Sequence, residues 1–248
     1  MTDILMTRRD AVMGIGINRP AKRNALTQAM YAAMTAHVEE AERDESIHAV
    51  VFHGTPEAFT AGNDLEDFAQ TPPGDEERPV FRFLRTVSTA QKPLVAAVTG
   101  NAVGIGTTLL LHCDLVYAAD NARFALPFTR LGLVPEFASS YLLPRIAGYQ
   151  RAAELLLLGE PFDAKKAQEA GFVTRVLPAA EVLDVAWQEA AKLASLPPKS
   201  IRVTKALMKL NDVNAIRDQL SHEGGHFRQM LTEPAARAAF AAFLAKRK

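Results

Sequence analysis

The chain has 248 residues, of which 48% are hydrophobic and 23% are charged, and this length is enough for one large domain with a full-sized core. Its formal net charge is zero, which argues against nucleic acid or an acidic membrane surface as its main partner. The single cysteine, Cys113, excludes an intrachain disulfide, and no stretch approaches the ~20 consecutive apolar residues that a membrane-spanning helix needs.

The first predicted elements are a β-hairpin and a polar loop. Ile4–Met6 and Ala11–Ile17 have the β-branched pattern of paired strands, and Arg8–Asp10 is the predicted turn between them. Proline and polar residues make Asn18–Thr27 a loop. Its basic residues are Arg19, Lys22 and Arg23. They form either a solvated surface or a seat for an anionic ligand, and their positions alone favour the solvated surface.

A helix, a buried strand and a first candidate binding site follow. Thr27 is the predicted N-cap of a helix that runs to about Asp44, because apolar residues recur on one of its faces. Ala49–His53 is a short apolar run typical of a buried strand. Gly62 then stands between a strand and a helical turn that begins near Leu65. At such a junction, backbone N–H groups point outward and can hold an anion or a polarised carbonyl oxygen.

A second candidate site of the same kind is predicted at a glycine-rich turn. The proline-rich and charged segment Thr71–Pro79 is predicted to be a mobile loop, and Val80–Val87 a short helix. The apolar strand Leu94–Val98 then leads into the turn at Gly104–Gly106. This turn matches neither the Walker pattern nor G-x-G-x-x-G, so binding of a nucleotide phosphate is not supported. A second set of outward-pointing N–H groups remains.

The rest of the chain changes from strand–turn–helix units to helices only. Further strands are predicted at Leu115–Ala118, Ala122–Ala125 and Val173–Leu177, with helices at Gln150–Leu158 and Ala164–Ala170. After Pro178 the predicted elements are the helices Glu181–Ser195, Lys199–Lys209, Val213–Leu231 and Pro234–Lys246. We therefore predict a core over residues 1–195 and a separate helical region over residues 196–248.

Glu136 is the only acidic residue in the apolar, proline-containing stretch from Pro127 to Tyr141. One interpretation is a surface carboxylate after Pro135 at the start of a helix, where it suits the helix dipole. The other is a catalytic base whose pKa is raised by apolar neighbours. Two N–H groups that converge on one carbonyl oxygen stabilise an enolate, and a carboxylate beside them can remove the proton α to that carbonyl. The two glycine turns therefore favour the base.

A match to the zinc-binding pattern H-E-x-x-H occurs at His222–His226. We discount it, because Gly224 and Gly225 weaken the helix that would have to hold both histidines on one face. The match also lies in the all-helical region, away from both glycine turns. No serine or cysteine stands in the sequence context of an activated nucleophile. We predict no metal site.

Several segments of the chain resemble the crotonase (enoyl-CoA hydratase/isomerase) superfamily. They are TAGNDLEDF, KPLVAAVTGNAVGIG, LHCDLVYAADNARFALPFTRLGLVPEFASSYLLPRIAG and the C-terminal AFLAKRK, which together extend over nearly the whole chain. The resemblance implies an α/β fold, a crotonase-like spiral of ββα units with a C-terminal helical trimerisation region. It also implies an acyl-CoA thioester substrate, no further cofactor, and a homotrimer or a dimer of trimers.

The resemblance also assigns the binding residues. The backbone N–H groups of Asn63 and Ile105 would form an oxyanion hole, and CoA would lie along Lys22–Leu26 and Ala61–Leu65. The full set of residues expected to bind the substrate is Lys22, Arg23, Ala25, Leu26, Ala61, Gly62, Asp64, Leu65, Gly104, Gly106, Thr108, Phe128, Leu131, Phe243 and Lys246. The last two match family positions that reach the CoA adenine or phosphate, often in a neighbouring subunit.

Departures from the family pattern indicate the reaction. Hydratases of this family use two glutamates, and Thr108 and Phe128 occupy those two positions here. Glu136, in LGLVPE-x-x-SS, together with GNDL resembles the Δ3,Δ2-enoyl-CoA isomerase branch, in which this glutamate is the base. An allylic isomerisation needs only one carboxylate, so we predict an isomerase. Leu126, Phe128 and Leu131 would help to form an apolar pocket that raises the pKa of Glu136.

Two alternatives stay open. One is another crotonase-type enzyme, such as a hydratase with a different arrangement of bases, or a hydrolase. The other is a homologue that binds acyl-CoA without turning it over. The N-terminal residues lack the apolar run of a signal peptide and the C-terminal AKRK is not a peroxisomal signal, so we expect a cytoplasmic location.

Overall fold

The computed structural model of the chain describes residues 2–70 and 78–245, with side chains at 2–67 and 78–242. Residues 71–77, most of the predicted loop, lie outside the described residues, as does Lys246. The strands are β1 (Ile4–Arg9), β2 (Val12–Ile17), β3 (Ala49–His53), β4 (Ala58–Thr60), β5 (Leu94–Val98), β6 (Asn101–Val103), β7 (Leu115–Ala119), β8 (Arg123–Ala125), β9 (Phe162–Asp163) and β10 (Arg175–Leu177).

The helices lie between and after these strands. They are α1 (Gln28–Arg43), α2 (Leu65–Gln70), α3 (Pro79–Ser88), α4 (Ile105–Thr108), α5 (Ser139–Ala147), α6 (Tyr149–Ala153), α7 (Ala164–Glu169), α8 (Val182–Ser195), α9 (Pro198–Lys209), α10 (Val213–Met230) and α11 (Pro234–Ala245). Short 3₁₀ turns cover Pro20–Lys22, Leu109–His112 and Thr129–Leu131, and a π-helical turn covers Glu154–Leu158.

Two sheets form as the chain alternates between them. The first has the order β1-β2-β3-β5-β7-β10 and the second the order β4-β6-β8-β9. The consecutive pairs β3 and β4, β5 and β6, and β7 and β8 each place one strand in each sheet. Within each sheet these successive strands pair in parallel. The predicted spiral of ββα units is confirmed.

The middle of the first sheet is the centre of the core. All five residues of β5 are buried, as expected for a continuous apolar run in a parallel sheet that is covered on both faces. Helix α8 packs against β3, β5 and β7. Its buried residues Val182, Ala186, Ala190 and Ala194 recur every four positions and so form one face.

One local prediction was wrong and one strand was missed. Strand β1 continues to Arg9, which pairs with Val12, so the turn is Asp10–Ala11 rather than Arg8–Asp10. Asp10 takes a left-handed conformation with φ 51°, which a two-residue hairpin turn requires and aspartate tolerates. Strand β6, which lies between the predicted strand Leu94–Val98 and the glycine turn, was not predicted. At three residues it is too short to show an alternating pattern.

The C-terminal helices lie against the spiral. Helix α10 packs against α3 and α5, and α11 packs against the turn at Thr129–Leu131. Within the described ranges, none of the helices has the length and apolar character needed to cross a membrane. The division into regions 1–195 and 196–248 stays a prediction, as does trimerisation.

The cap of α1 provides a test of the local folding argument. Thr27 is the N-cap, as predicted, and its hydroxyl accepts a hydrogen bond from the backbone N–H of Met30 at 3.3 Å. We expect Thr27→Ala to lower the free energy of unfolding by about 1 kcal/mol in urea denaturation, because this N–H loses its partner. Thr27→Ser keeps the hydroxyl and should retain most of the stability. Equal losses in both variants would contradict the capping role.

Candidate active site

The two glycine turns lie side by side because β4 and β6 are parallel neighbours. Thr60 in β4 is in register with Ala102 in β6, so the carboxyl ends of the two strands meet at one edge of the second sheet. A Cβ atom on Gly62 would lie only 2.9 Å from the carbonyl oxygen of Val103. The turn after β4 therefore touches the turn after β6, and Asn63 and Ile105 follow directly from these turns.

The backbone N–H groups of Asn63 and Ile105 are available at this edge. The residues on either side of Asn63 are occupied: the carbonyl of Gly62 accepts from the N–H of Leu26, and the N–H of Asp64 donates to the Leu26 carbonyl. Ile105 is the first residue of α4, where an N–H has no partner inside the helix. In the part of the chain that the structure describes, neither N–H donates a hydrogen bond.

Glycine is required where α4 lies on β4. A Cβ atom on Gly106 would come within 2.5 Å of the Thr60 methyl group, so a side chain here would push the helix away from the strand. Gly104 has φ 56° and ψ −117°, a conformation that glycine adopts readily. These two residues keep the N–H of Ile105 close to the turn at Gly62.

Glu136 lies next to α4. The hydroxyl of Thr108, the last residue of that helix, donates a hydrogen bond to the Glu136 carboxylate at 2.5 Å. Burial raises the pKa of Glu136 to about 8, although the Thr108 hydrogen bond lowers it, and the charge of Glu223 raises it further. Helix α5 begins only at Ser139. The alternative of an exposed carboxylate at a helix start does not fit this environment.

The backbone after Glu136 has an unusual conformation. Phe137 and Ala138 have φ values of 61° and 54°, and neither is glycine. The Phe137 carbonyl accepts a hydrogen bond from His112 Nε2 at 2.8 Å, and the two rings stack with centroids 4.0 Å apart. Burial lowers the pKa of His112 to about 3, so the imidazole is neutral and Nε2–H is the donor.

A second buried carboxyl, Glu223 of α10, reaches the same segment. One of its oxygens accepts from the Ala138 N–H at 2.6 Å, and the other accepts from the Ser140 N–H at 3.0 Å and from the Ser140 hydroxyl. Burial raises the pKa of Glu223 to about 7, although the hydrogen bonds from Ser140 and Ala138 lower it. Glu223 was not predicted as a site residue, and its only signal in the sequence was the discounted zinc pattern.

The structure differs from the zinc pattern in a specific way. Helix α10 runs unbroken through Gly224 and Gly225, so the expected weakness of this helix is not observed. His222 and His226 are exposed, whereas Glu223 between them is buried. Among the described residues there is no group of three or more His, Cys, Asp or Glu side chains that could hold a metal.

A small cavity connects Glu136, Glu223 and Asn63. Its apolar lining is Phe137, which follows Glu136, together with residues of α3 and α10, namely Val80, Phe81, Leu84, Leu220 and Phe227. This differs from the expected wall of Leu126, Phe128 and Leu131. Leu126 and Phe128 are buried in the core, and Leu131 lies in the turn that packs against α11.

The two segments expected to bind CoA lie along each other. The N–H of Leu26 bonds to the Gly62 carbonyl at 2.8 Å, and the N–H of Ala61 bonds to the Arg23 carbonyl at 3.0 Å. Ala25, Leu26 and Asp64 are buried, so these segments present mainly backbone and the flanking residues. Lys22 and Leu65 are partly exposed and Arg23 is exposed.

An unpredicted ion pair holds this region together. Arg19 donates to Asp64 at 2.6 Å and to the Ala25 carbonyl at 2.9 Å. Burial raises the pKa of Asp64, but hydrogen bonds from Arg19 and from the N–H groups of Asp67 and Glu66 outweigh it, so this pKa lies below its usual value. Phe243 belongs to α11, and its side chain lies outside the description. The CoA contacts of these residues stay predictions.

Tyr31 of α1 fixes the side chain of Asn63. Its hydroxyl donates to Asn63 Oδ1 at 2.6 Å. Burial raises the pKa of Tyr31 well above its usual value, and the charges of Glu136 and Asp67 raise it further, so the hydroxyl remains a donor. The sequence did not predict this contact. Tyr31 is one of the buried residues of α1, and the apolar pattern of that helix indicated only packing.

Known proteins share this architecture. The sequence matches a family model described as enoyl-CoA hydratase/isomerase over residues 7–248. The solved structure of OdaA from Pseudomonas aeruginosa superposes with a TM-score of 0.95 and 41% sequence identity, and the match covers 98% of this chain and 99% of that one.

Several curated relatives are isomerases by name. Enoyl-CoA delta isomerase 2 of Rattus norvegicus is 40% identical over 215 residues, a match that covers 84% of this chain and 55% of the rat protein. The chain thus spans about half the length of that relative. The 1,2-epoxyphenylacetyl-CoA isomerase of Escherichia coli K12 is 35% identical over 254 aligned residues, which cover 100% of this chain and 97% of the relative.

The Tyr31 contact can be tested without a substrate. We expect Tyr31→Phe to lower the free energy of unfolding by about 1 kcal/mol, because the partly buried Asn63 side-chain oxygen loses its donor. Urea denaturation measures this loss. Tyr149→Phe is the matched control, since the Tyr149 side chain is 71% exposed, and it should leave stability unchanged. If both variants unfold at the wild-type midpoint, the contact is not stabilising.

Proposed function

Because the chain belongs to the enoyl-CoA hydratase/isomerase family, we propose that it is an acyl-CoA isomerase that shifts the double bond of a 3-enoyl-CoA to the 2-position. The observation that carries the proposal is the position of the partly buried Glu136 carboxyl. It is hydrogen-bonded to the last residue of α4, and the first residue of the same helix offers a free N–H. A base and an oxyanion donor thus stand at the two ends of one helical turn.

The proposed reaction transfers one proton within the substrate. The N–H groups of Asn63 and Ile105 bind the thioester oxygen and stabilise the negative charge that develops there. The Glu136 carboxylate removes a proton from C2, and the electron pair spreads over the dienolate to C4. The protonated Glu136 then returns the proton to C4, which leaves the double bond between C2 and C3. Water is neither consumed nor released.

The environment of Glu136 suits both halves of this transfer. A carboxyl with a pKa near its ordinary value is a weak base and gives up its proton easily. Burial raises the pKa of Glu136 to about 8, which makes the carboxylate more basic and keeps the conjugate acid available for the return step. No metal or redox cofactor is required, because the reaction does not change the oxidation state of the substrate as a whole.

Glu223 bears on the main alternative, hydration of a 2-enoyl-CoA. It is a second carboxyl in the same cavity, and family hydratases use two glutamates. Both Glu223 oxygens, however, accept hydrogen bonds from backbone N–H groups. A carboxylate held in this way is poorly placed to orient a water and exchange its proton. This arrangement favours isomerisation with Glu136 as the working carboxyl.

We extend the proposal to CoA binding and assembly. CoA would follow the paired segments Lys22–Leu26 and Ala61–Leu65, where Lys22 and Arg23 offer cations for its phosphates. Phe243 and Lys246 would contact the adenine end, in a homotrimer or a dimer of trimers located in the cytoplasm.

The base assignment predicts the phenotype of Glu136→Gln. We expect this variant to lose about 10²- to 10⁴-fold in kcat for 3-enoyl-CoA thioesters, because the amide cannot accept the C2 proton. Acyl-CoA binding, measured by calorimetry, should stay near the wild-type value. The exposed Glu169→Gln is the control and should retain full turnover.

The same assays separate the alternatives. Turnover of a 3-enoyl-CoA by Glu136→Gln at the wild-type rate contradicts the assignment. A water-dependent product from a 2-enoyl-CoA with the wild-type enzyme favours a hydratase. Binding of both thioesters without turnover of either favours a non-catalytic homologue.

The raised pKa of Glu136 predicts the pH dependence of kcat/KM, which reports groups of the free enzyme. The carboxylate is the reactive form, so kcat/KM should rise with pH and level off above about pH 8. In Thr108→Val the hydrogen bond that lowers this pKa is lost, so the midpoint should move to higher pH. A midpoint that stays unchanged in this variant would show that another group controls the profile.

A further inference from the structure

The segment after Glu136 needs an external contact to keep its shape. Phe137 and Ala138 are consecutive non-glycine residues with positive φ. Such conformations are strained for residues other than glycine and persist only when the surrounding structure imposes them. These two residues connect Glu136 to α5, so their conformation sets the direction in which the Glu136 backbone presents its carboxyl.

Contacts on both sides impose this conformation. On one side, His112 holds the Phe137 carbonyl. On the other side, Glu223 accepts the N–H of Ala138 at 2.6 Å and the N–H of Ser140 at 3.0 Å. Gln219, one helical turn before Glu223, donates to the Ser140 hydroxyl at 2.8 Å. Helix α10 is therefore hydrogen-bonded to the backbone only two residues after Glu136, at Ala138.

We propose that Glu223 is a positioning residue for Glu136: it holds the left-handed bend at Phe137 and Ala138 and thereby directs the Glu136 carboxyl toward Thr108 and the free N–H of Ile105. This inference rests on the proposed function, in which Glu136 is the base. Glu223 acts through the backbone and takes no part in the proton transfer itself.

A carboxylate is the group this position requires. Its two oxygens face two separate backbone N–H donors, at Ala138 and Ser140. An amide has only one oxygen, so in Glu223→Gln an N–H₂ group faces one of these donors and that contact is lost. The variant keeps the size of the side chain and removes one of the two attachments of the bend.

The test compares Glu223→Gln with two other variants, using a 3-enoyl-CoA as substrate. We expect kcat to fall about 100-fold with KM nearly unchanged, because a base displaced by about 1 Å loses rate rather than binding. The exposed Asp218→Asn on the same helix is the control and should retain wild-type kcat. Glu136→Gln must lose at least about 100-fold in kcat in the same assay, and if it keeps the wild-type kcat the proposed function fails whatever Glu223→Gln does.

Rescue by glycine distinguishes positioning from general stabilisation. Glycine adopts positive φ without strain, so Ala138→Gly should reduce the dependence on Glu223. We expect Glu223→Gln to cost about tenfold in kcat in the Ala138→Gly background, against about 100-fold in the wild-type background. Wild-type kcat in Glu223→Gln, or an equal cost in both backgrounds, overturns the inference.

If Glu223→Gln does not fold, the variant Glu223→Asp provides the same test. Glu223→Asp keeps the charge but is one methylene shorter, so it cannot reach both N–H groups. It should lower kcat at unchanged KM, and Ala138→Gly should again recover part of the loss. A Glu223→Asp enzyme with the wild-type kcat overturns the inference.

Discussion

The parallel pairing of β4 with β6 is the constraint on which the whole site depends. Both strands are only three residues long, and they end at the same edge of the second sheet. That edge places the turn at Gly62 against the turn before α4. The larger sheet supplies the stability: its central strand β5 is buried throughout, and the spiral carries the chain from this core to the edge and back.

Burial of carboxyl groups near this edge makes their ionisation less favourable, and the proposed reaction depends on that effect. Glu136 and Glu223 are carboxyls with raised pKa values in one cavity, so ionising either group costs more than in water. A carboxyl whose pKa is higher in the folded state binds its proton more tightly there, and the resulting stability is lost as pH rises from about 4.5 through about 8. The raised pKa that makes the Glu136 carboxylate more basic therefore also lowers the free energy of unfolding near neutral pH.

The sequence predicted the features that local rules govern. The Thr27 cap and the strand Ala49–His53 follow from propensity and pattern, and the two glycine turns came from strand–turn–helix logic with a family resemblance. The role of Glu136 as a base stays a prediction. It failed where contacts are distant in sequence. Glu223 and Tyr31 lie 87 and 105 residues from Glu136, and each stands on a helix whose pattern indicated only packing or an unrelated motif. The lining of the cavity by α3 and α10 depends on how the C-terminal helices dock, which no local pattern records.

One continuous segment, from Ile105 to His112, contributes three groups to the candidate site. Ile105 offers an N–H, Thr108 binds the Glu136 carboxylate, and His112 holds the next carbonyl of the Glu136 loop. In the proposed reaction, the oxyanion donor Ile105 and the residue that binds the base, Thr108, thus lie at the two ends of one short helix, α4. Changes in the outer helices can reorient the Glu136 carboxylate, but they leave the separation between Ile105 and Thr108 unchanged. The direction of that carboxylate therefore depends on α10 as well, through the contacts of Glu223 with Ala138 and Ser140.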